Sequence, residues 1–167
     1  MAKIMVAAVQ LTITRDPVRN LRAMLDRLDE AAGLGARLIL FPSGCNRTAD
    51  YRSQDECWHT AIETDSPFMA ALQDRASRHG CYIAFGATVR GEYPVVYEQA
   101  HILSPQGTLV GTAQRQLLTD RERGYITAGD HPLTVFDTEL GRIGLCPGLD
   151  AVLPEPSRAL ALQGAQI

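Results

Sequence analysis

The stretch Gly141-Arg142-Ile143-Gly144-Leu145-Cys146-Pro147-Gly148-Leu149-Asp150 has the layout of a device that presents a nucleophile. A turn pair, Leu140-Gly141, opens it. Ile143 to Cys146 is a short apolar run, and Pro147-Gly148 breaks that run sharply. After Pro154-Glu155-Pro156 a helical pattern extends from Ser157 to Gln163. Strand, tight turn and helix together lift a reactive side chain to the tip of a sheet, beside a helix N-terminus. The position that would carry that side chain is Gly148, which has none. Cys146 lies two residues earlier, an offset that keeps the same strand face. It is the alternative nucleophile, set against a plain reading as a small core thiol.

The elements around such a site are legible as a β-α-β opening. Ile4 to Leu11 is apolar on both alternating faces, which predicts a central strand covered on both sides. Asp16-Pro17 reads as N-cap and first helical residue. Leu21, Met24, Leu25 and Leu28 then follow helical spacing until Gly33 to Gly35. Arg37 to Phe41 is the next strand, stopped by Pro42, and a right-handed parallel crossover is expected. Residues 44–65 read as polar and irregular. Ser66-Pro67 starts a helix through Phe68, Leu72 and Ala76, closed by Gly80. Strands are predicted at Cys81 to Val89, Val95 to Leu103 and Thr108 to Ala113, with a turn at Ser104-Pro105-Gln106-Gly107. Residues 114–132 form a long connection of the kind that lines sites. Leu133 to Thr138 and Arg142 to Cys146 make a further hairpin, and Gly164-Ala165-Gln166-Ile167 reads as the start of another strand.

Composition narrows the function classes. The chain has 167 residues, 46% hydrophobic and 21% charged, as in an ordinary globular protein. A net charge of −3 without a Lys/Arg cluster argues against nucleic acid as a partner. No apolar run approaches a membrane span, and Met1-Ala2-Lys3-Ile4-Met5-Val6 has no signal-peptide layout, so a cytoplasmic protein is expected, with no membrane partner. Cys45, Cys57, Cys81 and Cys146 show no metal-binding spacing and read as free thiols, Cys81 and Cys146 as core residues. His59, His79, His101 and His131 are scattered, and His101 is expected to be a satisfied or edge histidine in its strand. Neither a metal nor a cofactor is implied.

Segments along the whole chain resemble the nitrilase superfamily, the carbon-nitrogen hydrolases. They are Val6-Ala7-Ala8-Val9-Gln10, Gly35-Ala36-Arg37-Leu38-Ile39-Leu40-Phe41-Pro42, Ser104-Pro105-Gln106-Gly107 before Leu109-Val110-Gly111, Gly141-Arg142-Ile143-Gly144, and Asp150 with Pro154-Glu155 and Arg158 to Ala165. Glu122-Arg123-Gly124-Tyr125-Ile126-Thr127-Ala128-Gly129-Asp130 is most similar to the amidase and N-carbamoyl amino acid amidohydrolase branches. The resemblance implies an α/β fold, a nitrilase-like α-β-β-α sandwich. It covers the N-terminal portion of that domain, so residues 1–167 are expected to form one such domain, truncated at its C-terminus, with strand edges left open.

The resemblance also implies a site. Family members use a cysteine that attacks the carbonyl or nitrile carbon, a glutamate as general base and acid, and a lysine that steadies the anionic intermediate. Carried over position by position, the glutamate falls on Ser43, the lysine on Arg115 and the cysteine on Gly148. Glu98 stands in place of an asparagine, and the supporting glutamate is retained as Glu122. A serine hydroxyl is no base near neutral pH, arginine stays protonated and differs in shape from lysine, and glycine forms no thioester. Arg115 is read as either a solvated side chain or an anion contact, and Glu122 as a carboxylate paired to a nearby arginine.

The reading that follows is a nitrilase/amidase-family protein that is catalytically inactive and acts as a binding or assembly subunit. It would form a homodimer or a hetero-oligomer with a nitrilase-like chain and take a small amide or carboxylate ligand. One alternative is an active amidase, N-carbamoyl-amino-acid or nitrile hydrolase using Cys146. Another is a degenerate, truncated gene product.

Overall fold

A computed structural model describes residues 3–167, so Met1-Ala2 of the opening segment lies outside the described residues. Its main sheet has five strands in the order β1-β2-β3-β4-β5. These are β1 (Val6–Ala8), β2 (Leu38–Leu40), β3 (Tyr82–Arg90), β4 (Val96–Leu103) and β5 (Leu109–Gln114). The first three run parallel, and β4 and β5 complete the sheet antiparallel. Helix α1 (Pro17–Gly33) makes the expected crossover between β1 and β2. The Asp16 carboxylate accepts the amides of Val18 and Arg19 at 2.9 and 3.2 Å, satisfying donors that the first helical turn leaves over.

Polar residues 44–65 hold a helix that the sequence pattern did not reveal, α2 (Gln54–Thr60). Ser53 caps it by accepting the Glu56 amide. The Ser-x-x-Glu spacing was the available signal, but the helix buries only Cys57 and so has no apolar stripe. Helix α3 (Pro67–His79) ends at Gly80, whose φ of 61° lies in the left-handed region. Helices α1 and α3 cover one face of the sheet through Met24, Leu28, Phe68 and Leu72, packed on Ile83 and Phe85.

The opposite face carries a two-stranded sheet, β6 (Val135–Thr138) and β7 (Gly141–Gly144), followed by α4 (Pro154–Leu162). Ile143 and Leu160 pack there against Leu38, Tyr82, Ala84 and Ile102. The layers are therefore α, β, β, α, as the resemblance implied. Helix α4 starts three residues before the predicted Ser157, because prolines fit a first turn whose amides lack intrahelical partners anyway. Beyond it, Gln166 donates to the Arg142 carbonyl at 2.7 Å and Ile167 accepts from the Gly144 amide at 2.8 Å. The last residues thus pair with the free edge of β7.

The opening strand differs from expectation. It is three residues long, stands at the sheet edge and is covered on one face only. Ala7 and Val9 pack toward α1, whereas Val6 and Leu40 remain 49% and 47% exposed. The small second sheet and α4 sit over β3 to β5 and reach Leu38 at the start of β2, and among the described residues nothing covers β1 on that side.

Close approach of the two sheets depends on Gly111. A Cβ there would overlap the Phe136 ring. Gly111→Ala is expected to cost about 1–3 kcal/mol through overpacking, read as a lower urea midpoint at unchanged m-value.

Candidate functional site

Three positions far apart in sequence meet where the β7–α4 connection folds back on the main sheet. Gly148 begins a 3-10 turn, Gly148–Val152, with φ of 53°. Its amide donates to the Ser43 hydroxyl at 3.0 Å. Ser43 follows β2 and fits because Gly86 lies beneath it, where a Cβ would come within 2.6 Å of the Ser43 Cα. Asp150, 1% exposed, accepts the amides of Gln116 and Leu117 at 2.9 and 2.8 Å. That carboxylate pins the turn to the segment following β5 and brings Arg115 alongside. A Cβ on Gly148 would lie 2.8 Å from Arg115 Cδ and 3.1 Å from both an Arg115 guanidinium nitrogen and Glu98 Oε1. Arg115 and Glu98 therefore occupy the space that a side chain at 148 would need.

Arg115 is neither solvated nor open to an anion. It is 5% exposed, and each guanidinium nitrogen has a partner. Nε donates to the Leu117 carbonyl at 2.8 Å, while the two terminal nitrogens donate to the Glu98 and Glu122 carboxylates. Glu122, in the 3-10 turn Glu122–Gly124, also accepts from the Thr119 amide and hydroxyl at 2.8 and 2.7 Å. Burial pushes the Glu122 carboxyl up, but the bonds from Arg115 and Thr119 outweigh it and hold the group below the ordinary carboxylate range. Burial likewise opposes the Arg115 charge, and the two carboxylates overcome it.

A cavity of about 270 Å³ opens beside this triad of charges. Ser43, Glu98, Arg115 and Glu122 line it together with Arg47, Tyr51, Thr88 and Tyr125. Residue types and spacing alone gave no sign of Arg47, Tyr51 or Tyr125. All three lie in the connections after β2 and β5, where periodicity carries no information. Arg47 is buried, donates to Glu56 at 2.5 Å and sits 5.2 Å above the Tyr51 ring. The fully buried Asn46 anchors this loop to β3 by three bonds with Thr88, at 2.8, 2.9 and 3.4 Å. Tyr51 and Tyr125 face each other with ring centroids 6.0 Å apart, tilted by 56°.

Cys146 lies outside that cavity. It borders a separate hollow between the sheets, lined by Leu40, Phe41, Ala84 and Ala100, and it is half-buried beyond the end of β7. Burial and the nearby Asp150 charge raise its thiol, against a weaker hydrogen bond from Ser157. Cys45 and Cys57 are fully buried, and burial pushes both up to about 12. His59 and His79 sit on the surface with partners at 2.8 Å, the Asp55 carbonyl and the Asp29 carboxylate. His101 is neither satisfied nor at an edge. It is fully buried on β4, between β3 and β5, and among the described residues both ring nitrogens lack partners. Among the described residues, no three His, Cys, Asp or Glu side chains converge as metal ligands, and no helix is long and apolar enough to cross a membrane.

Comparison with known proteins bears on this arrangement. The sequence profile of the carbon-nitrogen hydrolase family matches residues 5–167. A nitrilase of Pyrococcus abyssi is 28% identical over 153 residues, covering 91% of this chain. An N-carbamoylputrescine amidase of Solanum tuberosum is 30% identical over 171 residues, covering 97%. The chain spans 58% and 56% of the length of these two relatives. Among solved structures, an amidase of the nitrilase superfamily from Nesterenkonia superposes with a TM-score of 0.85 at 24% identity, covering 98% of this chain and 62% of that one. The NitFhit protein of C. elegans superposes with a TM-score of 0.87 at 21% identity, covering 96% and 42%.

Proposed function

This chain belongs to the carbon-nitrogen hydrolase family, and from that premise we propose that its cavity binds a small molecule without carrying out thiol-dependent hydrolysis. The observation that carries the reading is the packing at Gly148. On the proposed correspondence, Ser43, Arg115 and Gly148 take the places of the family's glutamate, lysine and cysteine. The Arg115 side chain and Glu98 fill the room a thiol would need, and the Ser43 hydroxyl accepts the Gly148 amide. The substitutions thus fit one another sterically, which supports an arrangement in its own right over three unrelated losses. Nucleophile, base and oxyanion partner are replaced together, so attack on an amide, carbamoyl or nitrile carbon has no reacting group in the cavity.

An ammonia-release assay on simple amides, N-carbamoyl amino acids and nitriles tests this. The chain is expected to release none above the blank, and Cys146→Ala is expected to behave identically. Release that vanishes in Cys146→Ala would instead establish an active hydrolase with a displaced nucleophile.

Assembly is the second half of the proposal. The exposed apolar residues of β1 and β2, Val6 and Leu40 among them, support a role as a subunit, since an open strand edge with an apolar face invites pairing. Native mass measured on protein from its source cells, with co-purifying chains identified, is expected to show a homodimer or a complex with a nitrilase-like chain. A lone monomer would rule out the assembly role.

A further inference from the structure

Resting on the reading of this cavity as a binding site, we propose that its ligand is a small monocarboxylate and that Arg47 receives it. Arg47 is not one of the three positions that correspond to the family's glutamate, lysine and cysteine. Two arginines stand on the cavity wall, and their charges are met differently. They are buried alike, with side chains 6% exposed at Arg115 and 7% at Arg47. Arg115 is held by two carboxylates and a carbonyl. Arg47 is held by Glu56 alone. Its buried Nε–H has no partner among the described residues. Its Nη1 makes no bond there either, although that nitrogen is not closed off.

Glu56 answers only part of that charge. Its side chain is 29% exposed and does not line the cavity, and its other oxygen accepts the Arg52 amide at 2.7 Å. Water screens such a carboxylate, whereas the guanidinium it faces is shielded from water. A buried guanidinium with donors to spare is costly. What Arg115 has and Arg47 lacks is a second carboxylate. A ligand carboxylate supplies it, through a charge-assisted bond to a planar group whose geometry it matches. The rest of the wall does not stand against an anion. The charges of the lining balance, Arg47 and Arg115 against Glu98 and Glu122, and both glutamates are drawn to Arg115. Ile13, Ile126 and Tyr125 offer apolar surface for a hydrocarbon body, and about 270 Å³ suits a short one.

Titration calorimetry at pH 7 and fixed ionic strength, with sodium butyrate, butyramide and n-butylammonium chloride as probes, tests the assignment. Butyrate is expected to bind about tenfold tighter than butyramide, the difference between a charge-assisted and a neutral hydrogen bond, and butylammonium more weakly than either. Arg47→Lys keeps the charge but loses the planar fork, and is expected to weaken butyrate about tenfold. Glu56→Gln is the arm that a merely structural arginine does not reproduce. It removes the competing counter-charge, and is expected to tighten butyrate about threefold with butyramide unchanged. Weaker butyrate binding in Glu56→Gln, or unaltered binding in Arg47→Lys, would mean that Arg47 only holds the wall, and would overturn the assignment. Butyramide or butylammonium binding as tightly as butyrate would also overturn it and leave the binding-site reading standing. Failure of all three probes would overturn both. Ammonia release from butyramide would overturn the non-catalytic reading on which the assignment rests.

Discussion

Arg115→Ala is expected to destabilise the fold by about 3–5 kcal/mol at neutral pH, the usual cost of removing one partner from a buried ion pair. The loss comes less from the arginine's own bonds than from what it leaves behind. Glu98, with a side chain 10% exposed, and Glu122, at 24%, would face each other without a cation. This origin gives the loss a pH signature. Glu122 is held below its ordinary value of 4.5 in the folded chain. Its contribution is therefore full above that value and disappears as pH falls through the lower folded value. In the variant the reverse holds: acidification protonates Glu122, left without its cation, and relieves the repulsion. The gap between the two proteins in urea midpoint should accordingly narrow from pH 7 to about pH 4. Adding Glu98→Gln and Glu122→Gln to Arg115→Ala should recover most of the loss at pH 7. A gap that is the same at both pH values, and unaffected by the glutamines, would assign the cost to lost packing of the arginine stem.

That network also marks how far the sequence could be read. Helices α1 and α3 were legible because Asp16-Pro17 and Ser66-Pro67 are caps with a local mechanism, and their apolar residues recur at the helical period. The β3-β4-β5 meander was legible from period and turn chemistry. Whether a strand is covered is a property of the layers above it, so an apolar opening segment read as central turned out to be a half-exposed edge. At the cavity, the resemblance drew attention to Ser43, Arg115 and Gly148. What it could not supply is that Arg115 bridges two carboxylates, because Glu98 and Glu122 reach it from 17 and 7 residues away through the fold. Tyr51 and Tyr125 pair across connections that have no periodicity to betray them.

The second large effect is expected at His101, where stability should fall by as much as about 3 kcal/mol between pH 7 and pH 4. The ring is fully buried and stacks on Phe85 with centroids 5.0 Å apart and planes within 24°. Among the described residues neither ring nitrogen has a partner, so none of them compensates a proton taken up there. Burial alone pushes the imidazole down from 6.5 to about 4. The folded value is depressed, so between those two limits the unfolded chain binds a proton that the folded chain refuses. Stability is therefore full above about pH 6.5 and declines with each unit of acidification until the folded ring also titrates near 4. Glu122 acts in a separate window, below 4.5. Replacing the ring by an apolar side chain of similar volume, His101→Leu, should remove the slope between pH 6.5 and 4.5. It should also raise stability at pH 7 by about 1–3 kcal/mol, because a buried imidazole N–H without an acceptor is lost with it. Urea midpoints measured across that range for both proteins decide the matter. An unchanged slope in His101→Leu would place the titrating group elsewhere, and a loss of stability at pH 7 would mean that the stack on Phe85 outweighs the unpaired nitrogens.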